Sequence, residues 1–192
     1  MSPGETTGRG NARSRRELPT FRYHPDPAAN GAFEQMDGRC LVCGENPGWL
    51  YVLGAYGPRN LRDEVCPWCI ADGSAASTHE VRFTEIVDAP DAIPEAVIRE
   101  LEERTPGFSG WQQERWLFHC DDAAAFVGPA GWEDLEDHPD ALGALRVQIA
   151  GWGMDADETE MLVGSLDVDG SATAYLFRCL HCGTHLAYAD LE

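Results

Sequence analysis

Apolar and polar residues change rhythm several times along this chain, and each rhythm predicts a different element. Residues 18–27 (Leu-Pro-Thr-Phe-Arg-Tyr-His-Pro-Asp-Pro) are extended, because each proline fixes its own φ and pushes its predecessor out of the helical region; they predict an N-terminal strap. Residues 49–56 are aromatic and branched enough for a strand, and Val81–Val87 alternates at the period of a half-buried strand. Pro94–Glu103 predicts a helix with Val97, Ile98 and Leu101 on one face, stopped by Thr105-Pro106-Gly107. Gln113–His119 reads as a strand. Asp121–Val127 reads both ways, its alanines favouring helix and Phe126-Val127 opposing it. Trp132–Glu136 predicts one helical turn, and Ala141–Ala150 and Glu158–Gly164 predict longer helices. Asp169-Gly170 signals a hairpin turn, followed by strands over Thr173–Cys179 and Leu186–Leu191.

These elements place the chain in the α+β class, as a small mixed domain with zinc-knuckle and zinc-ribbon-like β-hairpins and several short helices. A length of 192 residues with 43% hydrophobic content gives residues 18–192 enough core for one metal-stabilised domain, divisible into lobes 18–90 and 91–192. Residues 1–17 are polar, carry Arg9, Arg13, Arg15 and Arg16, and read as a disordered tail with no apolar signal-peptide core. The formal charge of −19 repels a bare phosphate backbone and disfavours nucleic acid as a partner, the arginine tail being its one foothold. No segment is long and apolar enough for a membrane helix. The expected location is cytoplasmic, where reducing conditions favour thiolate ligands over disulfides.

Cysteine spacing changes the picture most. Six of seven cysteines fall in Cys-x-x-Cys pairs: Cys40/Cys43, Cys66/Cys69 and Cys179/Cys182. Two thiolates so spaced converge from one tight turn on a single ion at about 2.3 Å per Zn–S contact, and two such turns complete a tetrahedron. Gly44 and Gly183 follow their knuckles where a positive φ is required. The middle pair lacks that glycine and runs into Ile70-Ala71, a helix-mounted half-site. Cys40, Cys43, Cys66 and Cys69, with 22 residues between the pairs, predict one structural zinc. A thioredoxin-like redox role for Cys66-Pro-Trp-Cys69 is the alternative, but the polar, turn-like Gly57–Glu64 stands where a buried strand would be expected.

A second zinc rests on Cys120, Cys179 and Cys182 with one further donor. His119, Asp121, His181 and His185 are within reach by sequence, and His185 completes the tetrahedron if it faces the knuckle from the returning strand.

Tyr23-His-Pro-Asp-Pro27, Cys66–Ala76, Arg104-Thr-Pro-Gly-Phe108, Trp111–Trp116, His119-Cys120 and Cys179–Gly183 together resemble the CbrC family of uncharacterised bacterial cysteine-rich proteins, over about residues 18–190. The resemblance implies a cytoplasmic protein of unestablished biochemistry, with a loose association to colicin tolerance. In that family a further cysteine follows the equivalent of Cys120 by four residues, on one helical face, where this chain has Ala124. Losing that ligand leaves the second site either to a neighbouring His or Asp or to metal binding that is weak or absent.

The expectation is therefore a zinc-binding adaptor whose acidic surface meets a protein partner, with no catalytic residue assigned. A metal-dependent enzyme using an incomplete Cys120/Cys179/Cys182 site and a zinc-ribbon nucleic-acid binder are the alternatives. Trp111–Trp116 reads as packing around a metal lobe, and Glu133–Asp137 as a solvated acidic face.

Overall fold

In the computed structural model, which describes residues 16–192, the strap crosses two cores before any regular element forms. Phe21 enters the first core, while Tyr23 enters a second, aromatic one and accepts a hydrogen bond on its carbonyl from the Phe126 N–H. The expected disordered tail falls outside the described residues except for Arg16 and Glu17; the Arg16 guanidinium lies 4.6 Å above the Trp68 ring.

Strands β1 (Phe33–Glu34) and β2 (Leu50–Tyr51) pair antiparallel and bracket the first knuckle. Helices α1 (Pro67–Ala71) and α2 (Ser74–His79) follow, separated by Gly73, whose φ of 80° admits no continuous helix. Phe33, Leu50, Tyr51, Ile70 and Phe83 build the first core together with Cys40, Cys66 and Cys69. Val81–Val87 is no strand. Val81 and Phe83 point inward as the alternation requires, yet Arg82 alone forms a bridge, to Tyr56, and the Phe83 N–H turns to the Glu102 carbonyl. The alternation holds only over Val81–Phe83, since Thr84 is also buried and Val87 is exposed, and no adjacent strand was there to complete a ladder.

Helix α3 (Glu95–Arg104) buries Leu101 as expected. Of Gln113–His119, Phe118–His119 alone is a strand, β3, paired with β4 (Asp122–Ala123). Ahead of it the backbone is tied by side chains: the N–H groups of Trp111, Gln112 and Arg115 donate to Tyr175 Oη, Asp190 Oδ2 and Tyr188 Oη. Those acceptors take the place of a strand partner.

The ambiguous 121–127 segment is not helix: after Asp121 it runs extended through β4 and into the next strand, with Ala124 between them. β5 (Ala125–Ala130), β6 (Ala172–Arg178) and β7 (His185–Leu191) form an antiparallel sheet in that order, with an irregularity between Phe126 and Gly128. Its two faces are chemically distinct. Ala174, Leu176, Ala187 and Ala189 meet helices α4 (Trp132–Leu135), α5 (Pro139–Ala150) and α6 (Ala156–Gly164), while Tyr175, Phe177 and Tyr188 face the aromatic core, where Phe108 stacks on Phe126 at 3.9 Å. Helix α6 begins earlier than expected because Asp155 caps it, accepting from the Asp157 and Glu158 N–H groups. Asp169-Gly170 turns from α6 into β6, so it joins helix to strand and is not a hairpin turn. On the outer edge of β7, the Gln148 amide donates to the Ala189 carbonyl and accepts from its N–H, covering that stretch as a strand would.

The result is a mixed α/β architecture of small antiparallel sheets and several helices. No described helix is long and apolar enough to cross a membrane.

Candidate metal centres

Two knuckles of matching construction each present two sulfurs. In the first, the Cys40 N–H donates to the Glu45 carbonyl at 2.8 Å and Gly44 N–H returns to Cys40 O at 2.8 Å, with Gly44 at φ 72°. In the second, at the β6–β7 turn, Cys179 N–H donates to Thr184 O at 2.8 Å and Gly183 N–H to Cys179 O at 3.1 Å, with Gly183 at φ 78°. Only glycine takes that backbone conformation at no steric cost.

The first knuckle meets Cys66, the residue capping α1, and Cys69 within the helix. Leu41 N–H donates to Glu64 O, which locks the knuckle onto the approach to Cys66. Cys40 and Cys69 Sγ are 3.7 Å apart, Cys43 and Cys66 Sγ 3.9 Å, and all four sulfurs lie within 4.8 Å of one another. A tetrahedral ion with four thiolates at about 2.3 Å requires S···S edges of about 3.8 Å. A disulfide would require about 2.05 Å. Cys40, Cys66 and Cys69 are buried and Cys43 is exposed. The Cys40 thiol is drawn down to about 4, first by the hydrogen bond from Cys66 and then, against its burial, by the N–H groups of Cys43, Cys66 and Val42. Cys66 is pushed up by the same thiol contact and by burial, and Cys69 is pushed up to about 11 mainly by burial. Four crowded sulfurs cannot all ionise unaided, and a dication bound among them removes that conflict.

The second knuckle faces the β3–β4 hairpin. Cys120 and Asp121 form its two-residue loop, both left-handed at φ 53° and 56°, the geometry of a type I′ turn built without glycine. Cys120 Sγ lies 3.8 Å from Cys182 Sγ, and His119 Nδ1 lies 3.2 Å and 3.3 Å from the same two sulfurs. With Zn–N at about 2.0–2.1 Å, an S···N edge of about 3.5 Å is expected. His119, Cys120, Cys179 and Cys182 thus form a second closed set of four donors within 4.8 Å. The Thr184 hydroxyl, followed by its N–H, holds the Cys182 thiol below its ordinary range. Burial raises the Cys179 thiol, but the Cys182 and His181 N–H groups outweigh it and leave it lowered.

Asp122 braces this centre from behind. Its buried carboxylate accepts from Tyr23 Oη at 2.8 Å, Arg22 at 2.6 Å, His181 Nε2 at 2.8 Å and the Ala123 N–H at 2.9 Å. Burial alone would raise its pKa; these donors reverse the effect and hold it below the usual carboxylate range.

The model of an uncharacterised protein family, UPF0167, matches residues 18–191. The chain belongs to that family. It is 51% identical over 175 residues to the UPF0167 protein of Mycobacterium bovis, covering 91% of this chain and 94% of that one. It is 41% identical over 179 residues to that of Pseudomonas aeruginosa, covering 91% of this chain and 97% of the relative. No solved structure matches it significantly.

In this UPF0167 chain the structure gathers Cys40, Cys43, Cys66 and Cys69 at one point and Cys120, Cys179 and Cys182 at another. The fourth donor of the second set is His119, not His185. His185 opens β7, where its ring packs 3.9 Å from His138 and its N–H donates to Asp140. Of the other candidates, His181 is engaged by Asp122, and Asp121 is not among the four clustered donors. Ala124 stands on no helical face with Cys120. It lies between β4 and β5, fully buried, its carbonyl accepting from Trp116 Nε1, so a helical Cys-x-x-x-Cys reading does not apply. Cys120 in the hairpin loop and His119 beside it at the end of β3 lie against the knuckle instead. Nothing in the local sequence marks Asp122, because Arg22 and Tyr23 approach it from about a hundred positions away.

Proposed function

We propose that this UPF0167 protein is a two-zinc binding module: one zinc on Cys40, Cys43, Cys66 and Cys69, a second on His119, Cys120, Cys179 and Cys182. The observation that carries this reading is the closure of both donor sets at four, with S···S separations of 3.7–3.9 Å that match the edge of a zinc tetrahedron. Donors this close enclose a single ion and leave no room for a multi-iron cluster. A structural zinc site has four protein ligands, whereas a catalytic one keeps a position for water; His119 takes the position that an enzyme would need open. A structural role is therefore favoured over the metal-dependent enzyme.

The module's work is recognition. With a charge of −19 before any thiolate is counted, its surface suits a basic protein partner and opposes nucleic acid. The CbrC resemblance, and with it a setting in toxin tolerance, comes from the motifs, and a cytoplasmic location suits seven cysteines kept as free thiolates for metal.

Metal analysis of protein purified anaerobically without chelator tests the reading. Two tightly held zincs per chain are expected. A single zinc would leave the second donor set without its metal, and none would overturn the reading at both centres.

A further inference from the structure

The two centres differ in how their sulfurs meet solvent. At the first, Cys43 is the single exposed thiol, and Cys66, its sulfur 3.9 Å away, is 2% exposed within the first core. At the second, Cys120 and Cys182 are both exposed and only 3.8 Å apart, with Cys179 buried beneath them. These two come from separate hairpins, 62 positions apart in sequence.

We propose that Cys120 and Cys182 form an oxidisable pair, a modification site for hydroperoxides at which the product is a disulfide between the two hairpins and the second zinc is released. The inference rests on the two-zinc reading above for its metal-release half.

The chemistry needs two electrons, one peroxide and two protons. The sulfur of one exposed thiolate attacks a peroxide oxygen; the S–O bond forms, the O–O bond breaks, and hydroxide (an alkoxide, for an organic peroxide) departs, leaving a sulfenic acid. The second thiolate then attacks that sulfur, forming S–S and breaking S–O. Solvent protons convert the departing oxyanions to water, or to water and an alcohol. Both sulfurs have been oxidised and the peroxide reduced. Closing the pair from 3.8 Å to about 2.05 Å asks each sulfur to move by less than about 1 Å, which a hairpin tip accommodates. The zinc, left with Cys179 and His119, loses half its ligands and most of its compensating charge.

The outcome of oxidation differs between the centres. Asp122 on β4 and His181 in the knuckle remain joined at 2.8 Å, so the two hairpins stay clasped when the metal departs, and the new bond replaces it as a cross-link. At the first centre no such replacement exists. Cys40, Cys66 and Cys69 are themselves core residues, and pairing Cys43 with any of them would pull a sulfur out of the packing. The second centre therefore releases zinc reversibly under conditions that leave the first intact.

The test treats zinc-loaded, full-length protein with stoichiometric hydrogen peroxide. A chromogenic chelator reads released zinc, and non-reducing peptide mapping by mass spectrometry reads the cross-link. The expected result is loss of one zinc of two, a Cys120–Cys182 linked peptide, and restoration of both by dithiothreitol and zinc. Cys120→Ser loses the cross-link, while His185→Ala, outside both donor sets, keeps both cross-link and release. Simultaneous loss of both zincs, or a first cross-link at Cys179–Cys182 or Cys40–Cys43, would overturn the inference. The zinc count before peroxide checks the two-zinc reading separately. The wild-type peptide map decides the cross-link whatever that count, and also if Cys120→Ser fails to fold.

Discussion

His24 shows how much a single side chain can decide. It is fully buried, its Nδ1–H donating to the Pro106 carbonyl at 2.9 Å and its Nε2 accepting from Asn30 at 3.1 Å, an arrangement that admits only the neutral ring. Burial, only partly offset by the Pro106 carbonyl and Asp26, lowers its pKa from 6.5 to about 4. A folded pKa below the unfolded one means the unfolded chain binds the extra proton first. Stability is full above the unfolded value and falls as pH drops toward the folded one. The expected loss between about pH 7.5 and about pH 5 is about 2 kcal/mol in urea unfolding, and His24→Gln should flatten that slope relative to wild type. At the second centre, His119→Ala should weaken zinc binding by more than about tenfold in chelator competition, and His185→Ala should leave it unchanged. Equal effects would remove His119 as the fourth ligand. Most candidate donors were legible in sequence: six of the seven cysteines stand out through Cys-x-x-Cys spacing, and Cys120 is the one left over. The choice among four nearby His and Asp residues was not, because it depends on a two-residue turn in which Cys120 adopts a left-handed backbone that spacing does not encode.

Elements were legible where periodicity met a matching partner. Leu142, Leu145 and Ile149 marked α5 and are buried beneath the sheet, and the final two strands lie where the apolar runs put them. Segment 81–87 had an alternating pattern and segment 113–117 read as strand, but they found side-chain acceptors or a helix end in place of a neighbouring strand, a tertiary outcome that no local pattern carries. The edge of β7 is likewise closed by something other than a strand. Gln148→Ala should cost about 1–3 kcal/mol, because it strips partners from both polar backbone groups of buried Ala189. A change within a few tenths of a kcal/mol in chemical denaturation would mean that water replaces the amide without loss.

Across the whole molecule the two centres hold unequal amounts of structure. The first is embedded among Phe33, Leu50, Ile70 and Phe83, and the second sits at the rim of a sheet whose two faces are packed independently of it. Cys40→Ser is therefore expected to abolish cooperative unfolding, and Cys179→Ser to preserve it, as followed by near-ultraviolet circular dichroism; the reverse order would misplace the keystone of the fold. Zinc binding contributes on the order of 10 kcal/mol of apparent folding free energy, comparable with the whole stability of a small domain, so the contrast should be plain. The six-residue turns at 40–45 and 179–184 close through the same pair of backbone hydrogen bonds and the same left-handed glycine. They are in effect interchangeable parts. Leu-Val in one and Leu-His in the other fill the slots between the cysteines. Grafting Cys40–Gly44 onto positions 179–183, with Thr184 kept, should preserve the clamp on the metal while deleting the imidazole that Asp122 grips, which would separate holding an ion from bracing the surrounding protein in a single swap.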